Sequence, residues 1–164
     1  MKTKATFLFL ILFAITFSFS ALGQRANFSG EWKLNKEKTV LADNQLFLSR
    51  VTIQLKSDSL LTTRVYENTN GEEYPFEENL FLDGKEYKIV IFDMPRTTKA
   101  SRSDTDGSLI IESTTTFNGN NGEENLTAKE TWKVDDEGET LTIGFTNKMS
   151  GGETVGTNYY NKVK

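Results

Sequence analysis

Five Asx-Gly pairs divide the chain: Asn70-Gly71, Asp83-Gly84, Asp106-Gly107, Asn118-Gly119 and Asn121-Gly122. Both residues of such a pair tolerate positive φ, which tight turns between paired strands require. Each pair is therefore expected to reverse one strand into the next. Asp135-Asp136-Glu137-Gly138 and Ser150-Gly151-Gly152 are looser turns of the same sort. No stretch between them keeps helical spacing, and the only room for a helix is Lys36 to Asn44.

The intervening stretches alternate apolar and polar residues, as half-buried strands do. Phe47, Val51, Ile53 and Leu55 share one face, with Arg50, Thr52, Gln54 and Lys56 on the other. Leu126, Ala128, Trp132 and Val134 alternate more cleanly against Thr127, Lys129, Thr131 and Lys133. The pattern predicts strands at 28–34, 46–56, 59–67, 76–82, 85–92, 96–104, 108–117, 126–134, 139–147 and 153–163. Met94-Pro95 is expected in a loop at one end. Periodicity alone allows a barrel or a two-layer sandwich. Short hairpins favour the first, so the expected fold is a single antiparallel up-and-down β-barrel of eight to ten strands, which removes its free edges by closing.

Residues 1–23 are expected to be a signal peptide. Lys2 and Lys4 form a basic start, Phe7 to Phe17 is apolar, and Ala21-Leu22-Gly23 offers small residues for cleavage. The apolar run is short for a membrane span, although an uncleaved anchor reaching to Leu22 is the alternative. Residues 24–164 then make one domain in the periplasm or outside the cell, with no stable membrane insertion after cleavage. Losing two lysines takes the chain to 17 basic against 23 acidic residues, a balance that argues against nucleic acid. There is no cysteine and no histidine. Disulfides, thiolate metal sites, lipid-modified cysteine and the usual general base are therefore excluded.

The first strand holds Phe28-Ser29-Gly30-Glu31-Trp32-Lys33-Leu34, and the last holds Thr157-Asn158-Tyr159-Tyr160-Asn161-Lys162-Val163. The Gly30-x-Trp32 opening resembles the first-strand signature of the calycin superfamily, lipocalins and fatty-acid-binding proteins. The ending resembles the last strand of the latter. The whole exported chain is similar to small secreted bacterial lipocalin-like proteins. The resemblance implies a barrel in which Gly30 permits a bend and Trp32 plugs the closed end, around a small hydrophobic, lipid-like ligand. It departs at Asn158 and Tyr160, which stand where fatty-acid-binding proteins carry an Arg-x-Tyr pair for a carboxylate. The stretch from Asn35 to Gln45 is also too short for their helical pair.

Glu130 interrupts the apolar row of Leu126, Ala128, Trp132 and Val134. It either anchors a ligand head group inside the barrel or sits solvated near the rim. Arg50, Arg64 and Arg102 are its possible strand-borne partners. Trp132 suits core or pocket wall. Tyr66, Tyr87, Tyr159 and Tyr160 have apolar bodies with a hydroxyl tip suited to orienting a ligand. Ligand binding is thus expected to involve Glu130, Trp132, Tyr66, Arg64, Tyr160 and Asn158. The acidic pairs Glu72-Glu73, Glu77-Glu78, Glu123-Glu124 and Asp135-Asp136 read as solvated turns. No nucleophile and base pair, metal-ligand set or cofactor motif is legible, which reads against an enzyme. The alternative is a ligand-free module that binds protein or glycan through its loops and outer face, with Thr62-Thr63 and Thr114-Thr115-Thr116 as polar strand surface.

Overall fold

The computed structural model describes residues 26–41, 46–119 and 122–164, so the expected signal peptide lies outside the described residues, as does Asn121. The ten strands are β1 (Gly30–Leu34), β2 (Phe47–Leu55), β3 (Ser59–Glu67), β4 (Glu73–Phe81), β5 (Asp83–Ile91), β6 (Met94–Arg102), β7 (Leu109–Gly119), β8 (Gly122–Val134), β9 (Thr140–Met149) and β10 (Gly152–Lys162). They form one antiparallel sheet in the order β4-β3-β2-β1-β10-β9-β8-β7-β6-β5. The first and last strands pair, with Trp32 opposite Lys162 and Leu34 opposite Tyr160. The sheet therefore curls into a nearly closed up-and-down barrel.

Closure is incomplete between β4 and β5. They are joined through Leu82 but share no ladder, and β4 approaches β6 instead. Three side-chain contacts bridge this seam: Phe81 with Tyr87 at 4.6 Å, Glu78 with Arg96 at 3.2 Å, and Phe76 with Phe92 at 5.9 Å.

One end of the tube is filled. Phe28, Trp32, Leu60, Leu109, Trp132 and Leu141 are inaccessible to solvent there. The Trp32 indole N–H donates to the Phe28 carbonyl at 2.9 Å, satisfying the one polar atom of a large buried ring. Gly30 has a φ of +140°, and a side chain on it would meet Lys162 Cε at 2.9 Å. Its bareness lets the Lys162 stem lie over the Trp32 ring, 5.2 Å from Nζ to centroid.

Several local expectations are corrected. Asp83-Gly84 does reverse β4 into β5, with Gly84 at a φ of 73°, but no ladder joins the two strands, and the pairing of β5 with β6 slips between Asp83 and Glu86. Met94 and Pro95 belong to β6, and the reversal before them is Phe92-Asp93, both at positive φ (47° and 63°). Pro95 fits because its pairing with Val90 is on the edge-strand side, while the ladder to β7 begins only at Arg96. Asn118-Gly119 and Gly122 serve a single hairpin, in which Gly119 pairs with Gly122. In β2 the pairing with β3 slips between Leu48 and Arg50, so Leu48, not Phe47, continues the inner face of Val51 and Ile53.

Candidate functional site

Alternation along each strand sends Arg64 on β3, Glu78 on β4, Arg96 on β6 and Glu130 on β8 into the barrel at one level. The Arg64 and Glu78 side chains are fully buried, Arg96 is 9% exposed and Glu130 is 14% exposed. Arg64 Nη1 donates to both Glu130 oxygens, at 2.8 and 3.0 Å. The Trp132 indole N–H donates to Glu130 Oε2 at 2.7 Å. The Arg64 guanidinium also lies over the Trp132 ring, 5.0 Å from its centroid. Across the seam, Arg96 Nε donates to Glu78 Oε1 at 3.2 Å, and Arg96 Nη1 to the Thr115 hydroxyl at 3.1 Å. Arg64 Nη2 stands 3.8 Å from Glu78 Oε2, an ion pair too long for a hydrogen bond.

Two guanidinium groups and two carboxylates thus form one balanced layer across the tube. Burial opposes both charges of the central pair, but mutual attraction wins. The carboxylates of Glu130 and Glu78 hold Arg64 above its ordinary range, with the nearby Tyr66 acting in the same sense. Arg64 and the Trp132 N–H hold Glu130 below its ordinary value of 4.5. Burial pushes the Tyr66 hydroxyl up although Arg64 pulls it down. Burial likewise pushes the Tyr160 hydroxyl well up, against a hydrogen bond with Asn158.

Above this layer the inner face changes character. Tyr66, Phe76, Ile89, Phe117, Leu126 and Phe145 follow the inward alternation of their strands yet are only half-buried. These inward apolar side chains thus keep part of their surface accessible to solvent, unlike those of the filled end. Tyr66 stacks on Phe76 (6.0 Å, interplanar 9°), and Phe92 meets Phe76 edge-on (5.9 Å, 80°) at the rim. Gly156 faces Phe145 across the ladder, and a side chain on it would collide with the Phe145 ring at 2.5 Å. Two shallow hollows lie at the periphery. One of about 350 Å³ is lined by Glu124, Met149 and Glu153 at the tip of the β9–β10 hairpin. The other, of about 300 Å³, lies over Gly144, Lys129 and Val155 on the outer face.

Of the expected site residues, the barrel brings Glu130, Arg64, Trp132 and Tyr66 together. Tyr160 is buried on the inner face and donates to the Leu48 carbonyl at 3.1 Å, with half-buried Asn158 one step further along β10. Glu130 is not a solvated rim residue. Of its three candidate partners only Arg64 reaches it: Arg50 lies outside against Glu31 and Glu73, and Arg102 lies over the Phe28 ring. The Glu77-Glu78 pair is not a solvated turn either. It lies within β4, where Glu77 faces out and Glu78 in. Thr62 and Thr115 are likewise buried, leaving Thr63, Thr114 and Thr116 to the outside. Neither Glu78 nor Arg96 is among the site residues that the sequence points to. The signal was present, since Glu78 alternates between Phe76 and Leu80, and Arg96 between Met94 and Thr98. Among the described residues, no group of three or more Asp, Glu, His or Cys stands close enough to hold a metal.

No family model matches the chain, and no curated protein does. Among solved structures, the chain is similar to a secretary abundant heat soluble (SAHS) protein from Ramazzottius varieornatus. The TM-score is 0.54 and the identity 13%, covering 85% of this chain and 100% of that one. At that identity the likeness is one of fold, and it is to a protein that shares the barrel.

Proposed function

We propose that this chain is an exported binding protein of the calycin type that holds a small hydrophobic, lipid-like molecule in the open half of its barrel, and that it acts by binding and not by catalysis. One observation carries the reading: inward-facing apolar side chains that solvent can reach, standing directly above a buried charged layer. Apolar surface left wet inside a fold is a cost that a ligand removes, at roughly 25 cal/mol per Å² before the costs of association. The filled half below supplies a rigid floor. Export rests on the amino-terminal pattern of Lys2, Lys4 and Phe7 to Phe17. It also agrees with the word secretary in the name of the structural neighbour.

The test is a titration of residues 24–164 with Nile red, a neutral fluorescent lipid probe, alongside Leu126→Trp, which places a larger ring among the half-buried inner residues. Saturable uptake that Leu126→Trp weakens by about tenfold supports the reading. Absence of saturable uptake, or uptake indifferent to Leu126→Trp, overturns it. The hollow over Gly144 and the 69% exposed Val155 favour a second reading, in which the outer face recognises protein or glycan. Absence of Nile red uptake together with glycan-array binding that Val155→Lys abolishes would select it.

A further inference from the structure

We infer that the barrel selects amphiphiles with an uncharged head group that both accepts and donates a hydrogen bond, an alcohol or a primary amide, seated between Arg64 and Glu78. The inference rests on the interior-binding reading above and adds the chemistry of the head group.

Three buried polar atoms lack a hydrogen bond of good geometry: Arg64 Nε, Arg64 Nη2 and Glu78 Oε2, with the Tyr66 hydroxyl the neighbouring side-chain oxygen beside the guanidinium. They belong to side chains that are wholly buried, on adjacent strands. Orphaned polar atoms at such a depth are uncommon, and each costs free energy unless something fills the gap. Their kinds matter. The Nε–H and one Nη2–H of a guanidinium lie side by side in its plane and form a fork for an acceptor. Glu78 Oε2, 3.8 Å from Nη2, offers an acceptor and no donor. The missing partner therefore has to accept from the fork and donate to the carboxylate. A hydroxyl oxygen does both, and so does a primary amide.

A fatty-acid carboxylate does not fit the same place. It can take the fork, but it has no hydrogen for Glu78 Oε2 and would face that oxygen with a like charge. The layer has no spare positive charge to offset this, because Arg64 and Arg96 are already matched by Glu130 and Glu78. A sterically similar anion thus meets repulsion where the neutral head meets two complementary contacts. The Tyr66 hydroxyl lies beside Arg64 while its ring stacks on Phe76, so the chain of the ligand would leave toward the rim past that pair of rings.

The experiment displaces Nile red from residues 24–164 at pH 8 with three ten-carbon competitors, decan-1-ol, decanamide and decanoate. The alcohol and the amide are expected to compete at least about tenfold more tightly than the carboxylate, a lower bound for a site whose polar groups would be left unpaired. Glu78→Gln should shrink that ratio by raising decanoate binding, since it removes the opposing charge. Three outcomes overturn the inference while leaving the interior-binding reading intact. They are equal or tighter competition by decanoate, failure of all three to displace bound Nile red, and an alcohol-to-carboxylate ratio unchanged in folded Glu78→Gln. If Nile red itself shows no saturable uptake, the binding reading fails and takes the head-group assignment with it. The wild-type ratio decides the matter even if Glu78→Gln does not fold.

Discussion

Replacing Glu130 by glutamine removes one charge from the layer and nearly nothing from its shape. The carboxylate accepts from Arg64 Nη1 at 2.8 and 3.0 Å and from the Trp132 N–H at 2.7 Å. An amide has one acceptor oxygen, so its NH2 faces Arg64 Nη1 in either orientation and, in one of them, the indole N–H as well. Removing one partner of a buried ion pair costs about 3–5 kcal/mol, because the other charge is left uncompensated. Here Arg64 retains Glu78 at 3.8 Å and the face of Trp132, and Glu130 is itself 14% exposed. The expected loss is therefore at the low end, about 3 kcal/mol. At a urea dependence of roughly 2 kcal/mol per M, the unfolding midpoint should fall by about 1.5 M. Tryptophan fluorescence at pH 7 reads the transition directly, since Trp132 lies in the layer. Arg50→Gln is the internal control. Its side chain is 40% exposed between Glu31 and Glu73, and the expected loss is below about 1 kcal/mol. Should Glu130→Gln shift the midpoint no more than Arg50→Gln does, the layer is not a coupled buried network and the reasoning fails.

Two further outcomes follow from the same geometry. Burial raises the Glu130 pKa, but Arg64 and Trp132 outweigh it and bring it below 4.5, so its stabilising contribution is full above pH 4.5 and is lost as the pH falls through the lower folded value. The melting-temperature gap between the wild type and Glu130→Gln should accordingly narrow when followed from pH 6 to pH 3, and a constant gap would contradict the pairing. At the rim, Phe92 and Asp93 hold φ of 47° and 63° in a two-residue hairpin turn, a conformation that costs most residues about 1–2 kcal/mol. Combining F92N with D93G should raise stability by about 1 kcal/mol in urea titrations while speeding Nile red dissociation severalfold by stopped flow, because the ring against Phe76 is gone. A stability loss would mean that this ring contact outweighs the backbone strain.

Much of the architecture is readable from local pattern. The run Leu126, Ala128, Trp132 and Val134 marks β8, and residues 59–67 match β3, because period-two alternation is a property of a single strand. Asn70-Gly71 marks its reversal for the same reason, as a pair of residues carries the backbone preference a turn needs. Where the pattern misled, a local rule met a non-local circumstance. Asp83-Gly84 has the chemistry of a hairpin and the chain reverses there, but β4 and β5 are the two edges of the sheet and share no ladder. Phe92-Asp93 lacks that chemistry and turns nonetheless, since β5 and β6 pair on either side of it.

The site divides along the same line. Glu130 is conspicuous in the sequence because it breaks an apolar row, and Arg64 stands among its few possible partners. Their meeting across 66 residues depends on closure of β1 against β10, which no window of sequence contains. Glu78 and Arg96 are harder still, because a charge on a strand ordinarily belongs to the wet face. The alternation of residues alone determined that a chain of hairpins with one apolar side would form. Only the curled sheet decided that four charges from β3, β4, β6 and β8 would share one largely buried layer. Inward and outward have meaning only once the surface has closed, and charges can be buried only where their opposites arrive from the other side.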